Sequence, residues 1–218
     1  MATYVFFNCI TPSCGLRFPL DKEHHVGEYC PRCGGKLQEV RSEVEMTAAV
    51  SQALPNRRIL GVLDNIRSAY NVGGIFRTAD GAGVAHLYLC GITPTPKAHP
   101  ELTKTALGAE KAVPWSAHAN ALSVAKNLQL EGVFLLALER AVESIPIQDF
   151  SLNEIGERTV GLVIGHELAG IDPDLFGMCE GALSLPMVGD KASLNVGVAF
   201  GIAVYWMTFR LSQNSNSE

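Results

Sequence analysis

Five short apolar runs mark the chain after its first quarter: ILGVLD from Ile59, HLYLCG from His86, VFLLAL from Val133, TVGLVIG from Thr159 and ALSLP from Ala182. Their apolar residues are nearly continuous rather than alternating, as in strands covered on both faces. Between them lie stretches with helical spacing, Val72–Gly81, Ala119–Leu130, Pro173–Cys179 and Leu194–Leu211. This alternation predicts an α/β domain over residues 59–211, built on a mostly parallel sheet with helices on both faces. In the first helical stretch Ile75, Phe76, Ala79 and Ala82 form the apolar face, and Asn71 is the expected N-cap. Gly73, Arg77 and Asp80 share another face. There Gly73 opens a notch one turn before Arg77, where a flat or anionic group can approach. A plain Arg77–Asp80 surface pair is the simpler reading of that face.

Residues 1–40 do not follow this pattern. Cys9 and Cys14 form C-x4-C, and Cys30 and Cys33 follow as C-x2-C, both in turn-like sequence, TPSCG and CPRCGG. Two such pairs have the spacing of a four-thiolate Zn2+ site, so a small zinc ribbon is expected here. Disulfides are disfavoured because no secretory signal is evident in MATYVFFNCITP. A redox C-x-x-C is disfavoured because no βαβ pattern surrounds Cys30 and a second pair lies nearby. Residues 41–58 read as a linker, and residues 212–218 as a disordered tail.

Charge changes the picture little. A net charge of −5 excludes a generally basic nucleic-acid binder but leaves room for local basic patches. The longest apolar stretch, Leu194–Phe209, is shorter than a membrane span and carries Asn195, so a cytoplasmic protein with no membrane partner is expected.

The common glycine loops fail. Gly81 and Gly83 do not open a G-x-G-x-x-G, no P-loop occurs, and His166-Glu167 is not followed by the second His of a zinc protease. Three other segments stand out. The first holds Asn71, Gly73, Arg77 and Thr78. The second is Gly165, Glu167 and Gly170 after a strand. The third is Pro186 followed by Ser193, Leu194, Asn195 and Val196. In this order they resemble the motifs of the SpoU-like branch of the SPOUT superfamily, S-adenosylmethionine-dependent RNA ribose 2′-O-methyltransferases. The likeness extends from about Ile59 to Leu211.

The resemblance implies a SPOUT-type fold with a C-terminal trefoil knot that holds S-adenosylmethionine. It also implies a homodimer whose sites draw groups from both subunits, and tRNA or rRNA as the substrate. By the same likeness Asn71, Arg77, Glu167, Ser193 and Asn195 carry the reaction, while backbone near Leu138, Gly165, Leu185, Met187 and Leu194 holds the cofactor. Arg77 stays protonated, so its role is electrostatic, beside the attacking ribose. Asn71 orients the ribose or Arg77, and Glu167 holds Arg77 or a substrate group or accepts a proton. The small face of the last helix, Gly197, Ala199, Gly201 and Ala203, suits either a dimer contact or packing within one subunit. His166 and Leu168 replace smaller residues of the family, and Leu168 is expected to alter the loop's path. Three alternatives stay open: a base methyltransferase of the same superfamily, a non-catalytic RNA-binding module, and a zinc-ribbon scaffold.

Overall fold

The computed structural model describes residues 4–21, 23–24, 27–41 and 59–214. The expected linker, beyond Arg41, and residues 215–218 of the expected tail lie outside them. The chain divides into two compact units, Met1–Gln52 and Ala53–Glu218.

The first unit is a three-stranded antiparallel sheet of β1 (Tyr4–Cys9), β2 (Arg17–Asp21) and β3 (Leu37–Arg41), in the order β2-β1-β3. Its buried apolar side chains among the described residues are Val5 and Phe7, joined by Cys9 and Cys30.

The second unit is built on a seven-stranded sheet. Its strands are β4 (Ile59–Asp64), β5 (His86–Cys90), β6 (Trp115–His118), β7 (Phe134–Leu138), β8 (Ile145–Pro146), β9 (Val160–Ile164) and β10 (Gly181–Ser184). The order is β6-β5-β4-β9-β7-β10-β8, and every pairing is parallel. The chain lays down β4, β5 and β6 outward, then places β7 on the other side and inserts β9 between β4 and β7. Helices α1 (Ala69–Ala82) and α6 (Val196–Asn214) pack together on one face, with α2 (Pro100–Ala106) and α3 (Ala109–Ala112) against α1. Helices α4 (Ala121–Leu130) and α5 (Pro173–Gly177) pack with the other face. This is the α/β architecture expected from the apolar runs. No helix among the described residues is long and apolar enough to cross a membrane.

Several local expectations are corrected. Ser68, not Asn71, caps α1: its side chain accepts the Asn71 amide, so Asn71 sits inside the first turn. The notch at Gly73 is not open. A Cβ there would fall on Thr105 Oγ1 and the Leu102 carbonyl, because α2 packs into it. That helix went unread because PELTKTA is short and polar. Edge strand β6, WSAH, went unread because it is only four residues long. Helix α6 starts two residues after Leu194, since the Asn195 side chain accepts the amides of Gly197 (2.9 Å) and Val198 (3.3 Å). It runs on to Asn214, taking residues 212–214 from the expected tail. Gly197 and Gly201 face α1 within the chain, the former near Asn71 and Ile75 and the latter near Thr78. Gly197 and Gly201 therefore serve packing inside the subunit, Ala203 is buried, and Ala199 lines the cleft described below.

Candidate active-site cleft

In parallel sheets, ligands collect beyond the carboxyl ends of the strands. Here the loops leaving β7, β9 and β10 converge on one cleft of about 510 Å3. Leu138, Gly165, Leu185, Met187 and Leu194 all line it, as do Glu167, Ser193 and Asn195. Asn71 lies just outside the lining, joined to it by hydrogen bonds.

Gly165 and Gly170 have defined physical reasons. A Cβ on Gly165 would strike the backbone of Gly170 and Ile171, which fold back against it. Gly170 is in the left-handed region, φ 76°, and a Cβ there would meet the Glu139 carboxylate. Between them His166 and Gly170 exchange two backbone hydrogen bonds of 3.0 and 2.9 Å, closing a tight loop. His166 Nδ1 accepts the amides of both Leu168 and Ala169, at 3.1 Å each. Histidine thus shapes this turn from within, while the Leu168 side chain points outward, 83% exposed.

That turn places Glu167. Its carboxylate accepts the amides of Arg67 (2.9 Å) and Ser68 (3.1 Å) and the side-chain amide of Asn71 (3.0 Å). Asn71 Oδ1 in turn accepts from Asn195 Nδ2 at 3.0 Å. Segments from three distant parts of the chain are therefore joined as Glu167–Asn71–Asn195. Burial works to raise the Glu167 pKa, but the amides of Arg67, of Glu167 itself, of Asn71 and of Ser68 together outweigh it and hold the carboxyl below its ordinary range. Glu167 does not hold Arg77. Its carboxylate oxygens instead accept from donors of α1 and the turn before it.

Arg77 is exposed on α1, outside the cleft lining, and forms no ion pair with Asp80 among the described residues. Neighbouring Thr78 faces Gly201 of α6. Ser193 is exposed and lines the cleft without capping α6.

Two cleft residues escaped the sequence reading, Glu139 and Arg140. Glu139 accepts the amides of Ile171 (3.1 Å) and Arg140 (2.9 Å), tying the β7 loop to the β9 loop. Arg140 Nη1 donates to the Ala192 carbonyl at 2.7 Å, tying the β7 loop to the β10 loop. The available signal was their position as the first polar residues after a buried strand's carboxyl end.

A family model settles where this arrangement belongs. The SpoU rRNA Methylase family model matches residues 58–205, which span β4 through the first half of α6. The chain belongs to the SpoU rRNA methylase family. Among SpoU relatives, the 23S rRNA (guanosine-2'-O-)-methyltransferase RlmB of Xanthomonas campestris is 32% identical over 158 residues, 71% of this chain and 59% of that protein. The chain thus spans less than two thirds of the length of that relative. An AdoMet-bound rRNA methyltransferase from Sinorhizobium meliloti superposes with a TM-score of 0.64 at 28% identity, covering 70% of this chain and 56% of the other. A TrmH/SpoU tRNA modifying enzyme of A. aeolicus gives 0.63 at 25% identity, covering 73% and 78%. The SpoU likeness and the parallel sheet together give the second unit an α/β SPOUT fold.

Proposed function

We propose that the second unit transfers a methyl group from S-adenosylmethionine to a ribose 2′-hydroxyl of tRNA or rRNA. The observation that carries this reading is the convergence of all five expected cofactor positions with Glu167, Ser193 and Asn195 on one cleft, in a SpoU family chain. The S. meliloti and X. campestris proteins support the cofactor and the reaction through what they are named for. Homologues of this kind act on rRNA or on tRNA, so the RNA is given as either.

The lining fits the cofactor's chemistry. Leu138, Ile164, Leu183, Leu185, Met187 and Leu194 offer an apolar wall for an adenine. Glu139, Glu167 and Arg140 offer charges of both signs for a zwitterionic amino-acid end and ribose hydroxyls. We read the three tied loops as the cofactor-holding knot of the fold. When bound, S-adenosylmethionine supplies an electrophilic methyl group on a sulfonium. Glu167, engaged by three donors and with a depressed pKa, is a poor base. It orients Asn71, and Asn71 and Asn195 hold the ribose edge with Ser193 beside them. Arg77 supplies positive charge to the developing alkoxide, and the hydroxyl proton passes to solvent water as the methyl is transferred.

Because Arg77 is exposed and outside the lining of its own cleft, we assign it to the site of a second copy. Val198, Ile202, Tyr205 and Phe209 form one stripe along α6 and remain between 39% and 57% exposed, a face suited to a two-fold contact. The homodimer rests on this stripe. A cytoplasmic setting accords with an RNA substrate and six free cysteines.

The test is methyl transfer from labelled S-adenosylmethionine to RNA, followed by nucleoside analysis. Label on the ribose is expected; label on a base, or no cofactor binding by calorimetry, overturns the reading. Arg77→Ala is expected to abolish most transfer with cofactor affinity unchanged. Mixing Arg77→Ala with a Glu167→Gln protein should restore about a quarter of activity through mixed dimers, and no rescue would refute the exchange of groups.

A further inference from the structure

The four cysteines of the first unit arrive from the end of β1 and the turn after it, and from a second turn before β3, and meet. Their sulfurs all lie within 4.8 Å of one another. Cys9 Sγ and Cys33 Sγ are 3.5 Å apart, and Cys14 Sγ and Cys30 Sγ are 3.8 Å apart. A regular tetrahedron with zinc–sulfur bonds of about 2.3 Å has edges of about 3.8 Å. Two disulfides would need only two pairwise meetings; the convergence of all four on one centre has no purpose there.

The turns that deliver them are matched. In the first, the amides of Cys14 and Gly15 both donate to the Thr11 carbonyl, at 2.9 and 3.2 Å. In the second, the Gly34 amide donates to the Cys30 carbonyl at 2.8 Å. Gly15 and Gly34, each directly after the second cysteine of its pair, have φ of 56° and 72°, where a side chain is strained. The Gly35 amide then points at Cys33 Sγ, at 3.4 Å, a donor that favours a thiolate. A hydrogen bond from the Ile10 amide to the Lys36 carbonyl (3.1 Å) holds the two turns side by side, and one from the Cys30 amide to the Gly35 carbonyl (2.7 Å) closes the second turn.

We propose that Cys9, Cys14, Cys30 and Cys33 bind one Zn2+ as a closed four-thiolate site, and that this ion is the centre around which the first unit folds. Four thiolates on one divalent ion carry a net −2, and Arg17, Arg32 and Lys36 are exposed in the surrounding turns and strand ends to offset it. A tetrahedral thiolate site also suits iron. Zinc is favoured because Cys33 is exposed, so a redox-active ion would stand open to oxidants, whereas zinc has no redox chemistry. Among the described residues of the first unit, Val5 and Phe7 are the buried apolar side chains besides two cysteines, too few to hold three strands without the ion.

The experiment uses the full chain purified without chelator. Elemental analysis is expected to find one zinc per chain, and replacement by Co2+ should give the visible absorption of tetrahedral cobalt thiolate. Stripping the zinc with a strong chelator should make residues 1–40 protease-sensitive and leave S-adenosylmethionine affinity within twofold. Cys14→Ser should lose at least half of the bound zinc. Stoichiometric iron, absence of any metal, or disulfides in the unreduced protein by mass spectrometry would each overturn the proposal. So would a metal-free chain whose first 40 residues resist protease as well as the metal-bound chain does.

Discussion

Replacing Glu167 by Gln changes one atom and removes one charge. In the native protein one carboxylate oxygen accepts from Arg67 N and the other from Ser68 N and Asn71 Nδ2. A glutamine keeps one oxygen. If it faces Ser68 and Asn71, its NH2 group confronts the Arg67 N–H, donor against donor. A charge-assisted hydrogen bond of this kind is worth about 1.5–3 kcal/mol, and water at this half-buried site recovers part of it, so a loss of about 2 kcal/mol is expected. For a unit of this size that lowers Tm by about 4–8 °C. The pH dependence gives a second, independent readout. The folded pKa of Glu167 lies below the ordinary 4.5, so its stabilising contribution is complete above that value and disappears as pH falls through the folded value. The variant lacks this contribution. Differential scanning calorimetry should therefore show a gap between the two proteins at pH 7 that narrows below pH about 4. Equal Tm at neutral pH, or a gap that persists unchanged in acid, would refute the role given to the carboxylate.

Gly165→Ala should lower S-adenosylmethionine affinity at least tenfold by calorimetry and cost about 1–3 kcal/mol, because the methyl enters the Gly170–Ile171 backbone. Gly73→Ala drives a methyl into α2 and should destabilise by a similar amount in thermal melts, while cofactor affinity stays unchanged. Asn195→Ala removes the α6 cap and the bond to Asn71, so a stability loss of about 0.5–2 kcal/mol by denaturant titration should accompany a larger fall in methyl transfer. Ile202→Glu places a charge in the exposed stripe of α6 and should yield monomers in sedimentation; an unchanged dimer would move the contact elsewhere.

The apolar runs that became β4, β5, β7, β9 and β10 were legible because strands buried on both faces must be continuously apolar. β6 escaped because it is four residues long, lies at the sheet edge and so lacks a continuous apolar run. Missing α2 had a further cost: without it, Gly73 reads as a notch for a ligand, when it is a seat for Thr105 and Leu102. At the site, the motif residues were legible by type and order, but their pairing was not. Nothing local says that Glu167 takes the amides at Arg67 and Ser68 rather than Arg77, since that choice is made by where the β9 loop lands. Glu139 and Arg140 were missed because their task is to join loops, which no linear pattern displays.

The strand order also governs how the chain reaches this state. β4 is laid down early, yet its second neighbour is β9. Arg67 and Glu167 bond across 100 residues, and Asn71 and Asn195 across 124. Such distant pairings are made late and slowly, because the intervening loop must close before any contact rewards it. A nascent chain that has not reached Val160 therefore exposes β4 as an unpaired edge, apolar on both faces. Fragments ending between Leu138 and Val160 should aggregate on the ribosome's release rather than persist as smaller domains, and the full chain should gain the most yield from slow synthesis or added holdase chaperones.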